Sequence, residues 1–206
     1  MKQESTIRVV LFDLGNVLVD LGDVSEMHRM LNTDGEESDV WLKWLSSPSV
    51  AAFDSGKISF DKFAKDLLAE VGSNIDQDIF KDSFKAWPKG LFAGALELVS
   101  AVKPEYHRAV LSNTNAAHWP RLMGEMGLAG KFHSYYASHQ VGFVKPDAAI
   151  YHHVIDSLNV SPEQILFIDD NQINIDTAYA LGMKAHLVKG IEQAWQVLEK
   201  YGVLTR

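Results

Sequence analysis

Arg8-Val-Val-Leu-Phe-Asp-Leu-Gly-Asn-Val-Leu-Val-Asp20 decides the fold. A strand with one wet face alternates apolar and polar residues. Ile7 to Phe12 is instead a nearly continuous apolar run rich in β-branched residues, so it reads as a buried central strand of a parallel sheet. Asp13 ends that run. A carboxylate at the C-terminal edge of such a strand sits in the crevice where open α/β sheets place their chemistry. Taken alone, Asp13 reads equally as a residue that closes a strand and opens a solvated turn. Gly15 is expected to let the backbone take an unusual dihedral or approach a ligand closely.

Outward from this stretch, strands alternate with helices. Tyr106 to Leu111 is a second strand delivering Ser112-Asn-Thr-Asn115, and Thr114 or Asn115 is placed to cap a helix running on to Met126. Phe132 to Ala137 forms a third strand, followed by a loop to Lys145-Pro146. Ile165 to Ile168 is a fourth, buried strand ending in Asp169-Asp170-Asn171, and Ala185 to Val188 is a fifth. Core helices are predicted over Phe92 to Val102, Asp147 to Leu158, Ile175 to Leu181 and Ile191 to Tyr201. This alternation indicates an α/β fold built on a doubly wound parallel sheet.

Residues 21–88 break the alternation. Met27, Met30 and Leu31 sit at helical spacing, as do Val40, Trp41, Trp44 and Leu45; Ser46 to Ser49 interrupt the pattern, and Phe53 to Lys57 mark a turn. Ser59 is placed to cap a helix through Phe63, Ala64, Leu67 and Leu68, and another runs through Phe80 and Phe84 to Pro88. The expectation is a core domain of residues 1–20 and 89–206 with a small helical cap of residues 21–88 inserted beside the strand ends. A module in that position closes the crevice against water and supplies groups that choose the substrate. Its aromatic residues read as its own core, with Arg29 and Trp87 as groups that face the crevice.

The 206 residues are 47% hydrophobic, enough for a substantial core, and carry a formal charge of -8 with lysines and arginines spread singly. That pattern argues against a nucleic-acid partner. The absence of cysteine removes disulfides, thiolate metal sites and a thiol nucleophile. The polar start, Met1 to Thr6, carries no signal-peptide or membrane-anchor pattern, so the expectation is a cytoplasmic protein with no membrane partner, as a monomer or weak homodimer.

Three strand ends thus present Asp13, Ser112-Asn113 and Asp169-Asp170, with Lys145 in a loop beside them. Gathered acids repel one another unless a cation is bound. Without clustered histidines or cysteines, hard oxygen ligands point to Mg²⁺. Asp13 can then attack a phosphoryl group and form an aspartyl phosphate, with Lys145 and Ser112 holding non-bridging oxygens.

The constellation resembles the haloacid-dehalogenase-like hydrolases, a superfamily dominated by Mg²⁺-dependent phosphatases. Four ordered motifs carry the resemblance: Asp13-Leu-Gly-Asn-Val17, Ser112-Asn113, Lys145-Pro146, and Asp169-Asp170-Asn171 with Asn174. The stretches Leu-Ser-Asn-Thr-Asn115 and Phe-Ile-Asp-Asp-Asn171 are most similar to sugar-phosphate phosphatases of the bacterial α-D-glucose-1-phosphate phosphatase type. The resemblance implies Asp13 as nucleophile and metal ligand, and the Gly15 carbonyl and Asp170 as further ligands. It implies Asp169 as a direct or water-mediated supporter, Lys145 and Ser112 as catalytic phosphate anchors, and Asn113 beside them as a substrate-binding residue. The substrate implied is a small phosphorylated metabolite.

One position departs from the family pattern. Most family phosphatases carry an aspartate two residues after the nucleophile as general acid and base, and this chain has Gly15. Without that acid, catalysis is expected to proceed slowly, to favour a good leaving group, or to recruit an acid from the cap, Asp20, a substrate group or water. Two other readings stay open: a metal-independent 2-haloacid dehalogenase, whose halide needs no proton, and a non-catalytic binding protein of the same fold. His118 and His139 are placed near the predicted rim.

Overall fold

The structure is a computed structural model that describes residues 7–23, 25–33 and 36–205. The described residues form seven strands, in chain order β1 (Val9–Phe12), β2 (Val19–Asp20), β3 (Gly90–Leu91), β4 (His107–Ser112), β5 (Ser134–Ala137), β6 (Ile165–Asp169) and β7 (Lys184–Leu187). Five of them form a parallel sheet in the order β5-β4-β1-β6-β7. β1 lies at its centre. The chain builds outward on one side through β4 and β5 and then returns to the other through β6 and β7, so the order reverses at β1 and opens a crevice at its C-terminal end.

Helices α1 (Ser25–Leu31), α2 (Glu37–Leu45), α3 (Pro48–Asp54), α4 (Phe60–Glu70) and α5 (Gln77–Ala86) fall between β2 and β3. The core helices are α6 (Ala95–Ala101), α7 (Trp119–Met123), α8 (Ser138–Val141), α9 (Ala148–Leu158), α10 (Gln172–Ala180) and α11 (Gly190–Lys200). Alternate residues of β1 serve opposite faces of the sheet. Val10 and Phe12 pack with Leu98 and Val99 of α6 and with Ala194 and Leu198 of α11. Val9 and Leu11 pack with Ile150, Tyr151 and Val154 of α9 and with Ala178 of α10. Covered on both faces, the strand has no position for a polar residue until it ends.

The helices between β2 and β3 have a separate apolar core that includes Met27, Val40, Trp44, Phe53, Phe63, Phe80, Phe84 and Trp87. The chain enters and leaves through β2 and β3, which pair antiparallel with Val19 beside Leu91. In α4 the expected stripe is the buried one, Phe63, Ala64, Leu67 and Leu68, and the Ser59 side chain accepts a hydrogen bond from the Lys62 amide. No helix among the described residues is long and apolar enough to cross a membrane.

Several local expectations shift. The loop expected after β5 starts as the single turn of α8, and the helix expected from Phe92 starts at Ala95 because Gly90 and Leu91 pair with β2. The helix expected from Thr114 or Asn115 begins at Trp119. Asn115 instead makes a turn, its Oδ1 accepting from the amides of Ala117 and His118. Helix α3, between the Ser46 to Ser49 interruption and the Gly56 turn, was not expected; Ser47 caps it and Val50 and Phe53 bury its inner face.

Candidate active site

The register of the sheet assembles the site. Parallel pairing sets Phe12 beside Ile168, so the residues that follow, Asp13 and Asp169, come side by side, and the Asp13 amide donates to the Ile168 carbonyl at 3.0 Å. Asp170 completes a group of three carboxylates that each offer an oxygen within 4.8 Å of the others. Lys145 enters from the loop after α8. Its Nζ lies 2.9 Å from Asp13 Oδ1 and 2.6 Å from Asp169 Oδ2, and donates to the Leu111 carbonyl at 3.1 Å.

Amide side chains hold these groups in place. Asn113 accepts from the Lys145 amide at 2.8 Å and donates to the Lys145 carbonyl at 2.9 Å, so both ends of its side chain fix the loop that carries the lysine. Asp169 Oδ1 accepts from Asn174 Nδ2 and from the Asn171 amide, each at 2.9 Å. Asn16 Nδ2 donates to Asp170 Oδ2 at 3.0 Å. Of the two expectations at Gly15, the unusual dihedral falls instead on Asn16, whose φ is 52°. Asparagine tolerates that region better than most residues. Ser112, buried at the end of β4, faces the crevice, and Ser138 braces Thr114, two residues further on, by accepting from its amide and donating to its carbonyl.

The charges do not balance, because three carboxylates face one ammonium. Burial and the charges of Asp169 and Asp170 push Asp13 up to about 7 despite Lys145. Burial and Asp169 also raise Asp170, against the hydrogen bond from Asn16. Burial alone would lower Lys145, yet Asp13 and Asp169 outweigh it and hold the ammonium firmly charged. The uncompensated negative charge, on hard oxygen donors beside a cavity, fits a divalent cation such as Mg²⁺.

That cavity has a volume of about 540 Å³, the size of a small-molecule pocket. The core lines it with Asp13, Gly15, Ser112, Asn113, Lys145 and Asp170, and the segment between β2 and β3 lines its other side with Trp41, Trp44, Asp54 and Trp87. Of the two groups expected from those helices, Trp87 lines the cavity while Arg29 lies elsewhere, bonded to Ser83. Asp169 is fully buried behind the lining. His118 is also buried, its Nε2 meeting the Phe84 carbonyl at 2.7 Å; burial holds it down at about 4 despite that bond. His139 is not a lining residue, and its Nδ1 lies 3.2 Å from the Thr114 carbonyl. Asn16 and Asn115 fall within the motif stretches, without a role of their own there, and Asp54 carries no site signal in the sequence.

The family model of haloacid dehalogenase-like hydrolases matches residues 7–182. A D-ribitol-5-phosphate phosphatase of Bacteroides thetaiotaomicron is 27% identical over 189 residues, covering 86% of this chain and 90% of the relative. That relative is named for D-ribitol 5-phosphate, not for the glucose 1-phosphate that the motif likeness implied. A haloacid-dehalogenase-family enzyme of the same organism, solved with magnesium and inorganic phosphate, superposes with a TM-score of 0.72 at 23% identity, over 89% of this chain and 94% of that one. The L-2-haloacid dehalogenase of Xanthobacter autotrophicus shares the fold with a TM-score of 0.67 at 21% identity, over 89% and 78% of the two chains. With the family pattern running from β1 through α10, this chain belongs to the haloacid dehalogenase-like hydrolases.

Proposed function

We propose that the protein is a Mg²⁺-dependent phosphomonoester hydrolase acting on a small phosphorylated metabolite, a sugar or sugar-alcohol phosphate, through an aspartyl phosphate. The observation that carries this reading is the contact of Lys145 Nζ with Asp13 Oδ1 at 2.9 Å, inside a group of three acids that opens on a cavity walled by the core and the inserted helices. Asp13, Asp170 and the Gly15 carbonyl would hold the metal, with Asp169 acting through water or through Lys145. When bound, magnesium supplies positive charge that screens the repulsion between Asp13 and a phosphate dianion.

The chain's own residues do the rest. Lys145 orients one Asp13 oxygen and neutralises charge on the phosphoryl oxygens, and Ser112 donates to another of them. Asn113 acts through Lys145, whose main chain it grips at both ends. The indoles of Trp41 and Trp87, stacked at 6.1 Å, give the cavity an apolar wall against the organic part of the substrate and exclude water. Asp170, cavity-facing and held by Asn16, favours a metal-assisted reaction over halide displacement.

The test is phosphate release from a panel of sugar and sugar-alcohol phosphates, with Mg²⁺ or EDTA, by the native protein and by Asp13→Asn. Turnover that requires metal and disappears in the variant is the expected result. Folded protein that releases no phosphate from any member, yet releases halide from 2-haloacids, would replace this reading with dehalogenation.

A further inference from the structure

Gly15 has no side chain to give or take a proton, so a side chain elsewhere in the cavity wall is the place to look for one. Its titratable lining side chains among the described residues are Asp13, Asp54, His118, Lys145, Asp170 and Lys189. Asp13 and Asp170 belong to the acid group, and Lys145 is tied to Asp13 and Asp169. The two nitrogens of His118 face the Phe84 carbonyl and Asn115. Lys189 is exposed. Asp20 does not line the cavity, and its Oδ1 accepts from the Gly22 amide.

Asp54 is left. It ends α3, between β2 and β3, and a core residue holds it: Asn115 Nδ2 donates to Asp54 Oδ1 at 3.1 Å. Asn115 is itself held, its Oδ1 accepting from two backbone amides and its Nδ2 lying 3.5 Å from His118 Nδ1. One carboxylate oxygen is therefore fixed by the core, while Oδ2 has no hydrogen bond among the described residues. We propose that Asp54 is the general acid and base of this enzyme, delivered by the inserted helices in place of the side chain that Gly15 lacks. Burial pushes Asp54 up to about 6, against the Asn115 hydrogen bond, so both protonation states are populated near neutral pH.

The inference rests on the phosphatase reading above. An Asp13 oxygen attacks phosphorus as the bond from phosphorus to the organic oxygen breaks, and the electron pair of that bond stays on the leaving oxygen. The leaving oxygen takes the proton of the Asp54 carboxylic acid, so an alcohol departs and Asp54 becomes a carboxylate. Water then attacks the phosphorus of the aspartyl phosphate and gives a proton to Asp54. The bond from phosphorus to Asp13 breaks with its electron pair returning to Asp13, inorganic phosphate leaves, and both residues are restored.

The test compares an alkyl phosphate, D-ribitol 5-phosphate, with an aryl phosphate, p-nitrophenyl phosphate, in native protein and in Asp54→Asn. The variant keeps an oxygen for Asn115, and its thermal melt reports folding. A poor alkoxide leaving group needs the proton and a phenolate scarcely does, so kcat/KM, which reports the steps up to departure of the alcohol, should fall ~10²-fold or more on the alkyl substrate and at least about tenfold less on the aryl one. Equal losses of kcat/KM on both, or a loss carried by KM alone for the hydroxylated substrate, would overturn the acid role and leave Asp54 as a positioning or recognition residue. A folded native protein inactive on both substrates and on every member of the phosphate panel would overturn the phosphatase reading, and this inference with it.

Discussion

Lys145 Nζ stands 2.6 Å from Asp169 Oδ2, and neither side chain is more than 1% exposed. A buried ammonium is tolerable only while its partners remain. Asp169 also accepts from Asn174 and from the Asn171 amide, so it ties β6, α10 and the Lys145 loop together. Asp169→Ala is expected to destabilise the protein by about 3–5 kcal/mol, read as a lower midpoint in urea at unchanged m-value. A shift below about 1 kcal/mol would show that Asp13 alone satisfies the lysine.

Metal affinity should depend on pH. Asp13, raised to about 7, holds a proton that a cation must displace. Below that value Mg²⁺ binding is expected to weaken by roughly tenfold per pH unit, and above it to level off. Calorimetric titrations at several pH values check this, and a flat profile would mean that Asp13 is already ionised in the free protein.

His118 makes docking of the inserted helices onto the core sensitive to acid. Its pKa is lowered from 6.5 to about 4 by burial, so the unfolded chain binds the proton more tightly than the folded one. The stability it contributes is fully present above about 6.5 and is lost as pH falls towards 4. At about 1.4 kcal/mol per unit the full loss is roughly 3–4 kcal/mol. Asp13 and Asp54 are raised and act in the opposite sense, so the informative quantity is the difference between native protein and His118→Gln. That difference should shrink across the window, because the variant has no imidazole to charge.

Placing an acid at residue 15 should relieve the dependence on Asp54. A Cβ on Gly15 would meet Leu21 Cδ1 at 3.2 Å, the mobile end of a side chain, and Gly15 does not occupy the left-handed region. Gly15→Asp is thus expected to fold. In the Asp54→Asn background it should recover at least about tenfold of the lost kcat on alkyl phosphates. No recovery in a folded double variant would show that residue 15 lies out of reach of the leaving oxygen.

What the amino-acid sequence by itself determined is the sheet and the groups at its strand ends. β1 and β6 are legible because strands covered on both faces are apolar throughout, so an acid immediately after them stands out. The α4 stripe is legible because one buried face repeats at helical spacing. Helix α3 is not. Seven residues between a serine run and a glycine turn have too little intrinsic stability to announce a helix, which forms here because Ser47 caps it and Val50 and Phe53 are buried.

Tertiary structure alone decided how the site is joined. Asn113 meets the Lys145 main chain across 32 residues, and Asn115 meets Asp54 across 61. Such pairs leave no periodic trace, because the amide of one side chain finds the oxygen of another only after the sheet order and the packing of the inserted helices bring them together. The acids are therefore written locally, at the ends of apolar strands. The hydrogen bonds that orient Lys145 and Asp54 follow from packing between distant parts of the chain.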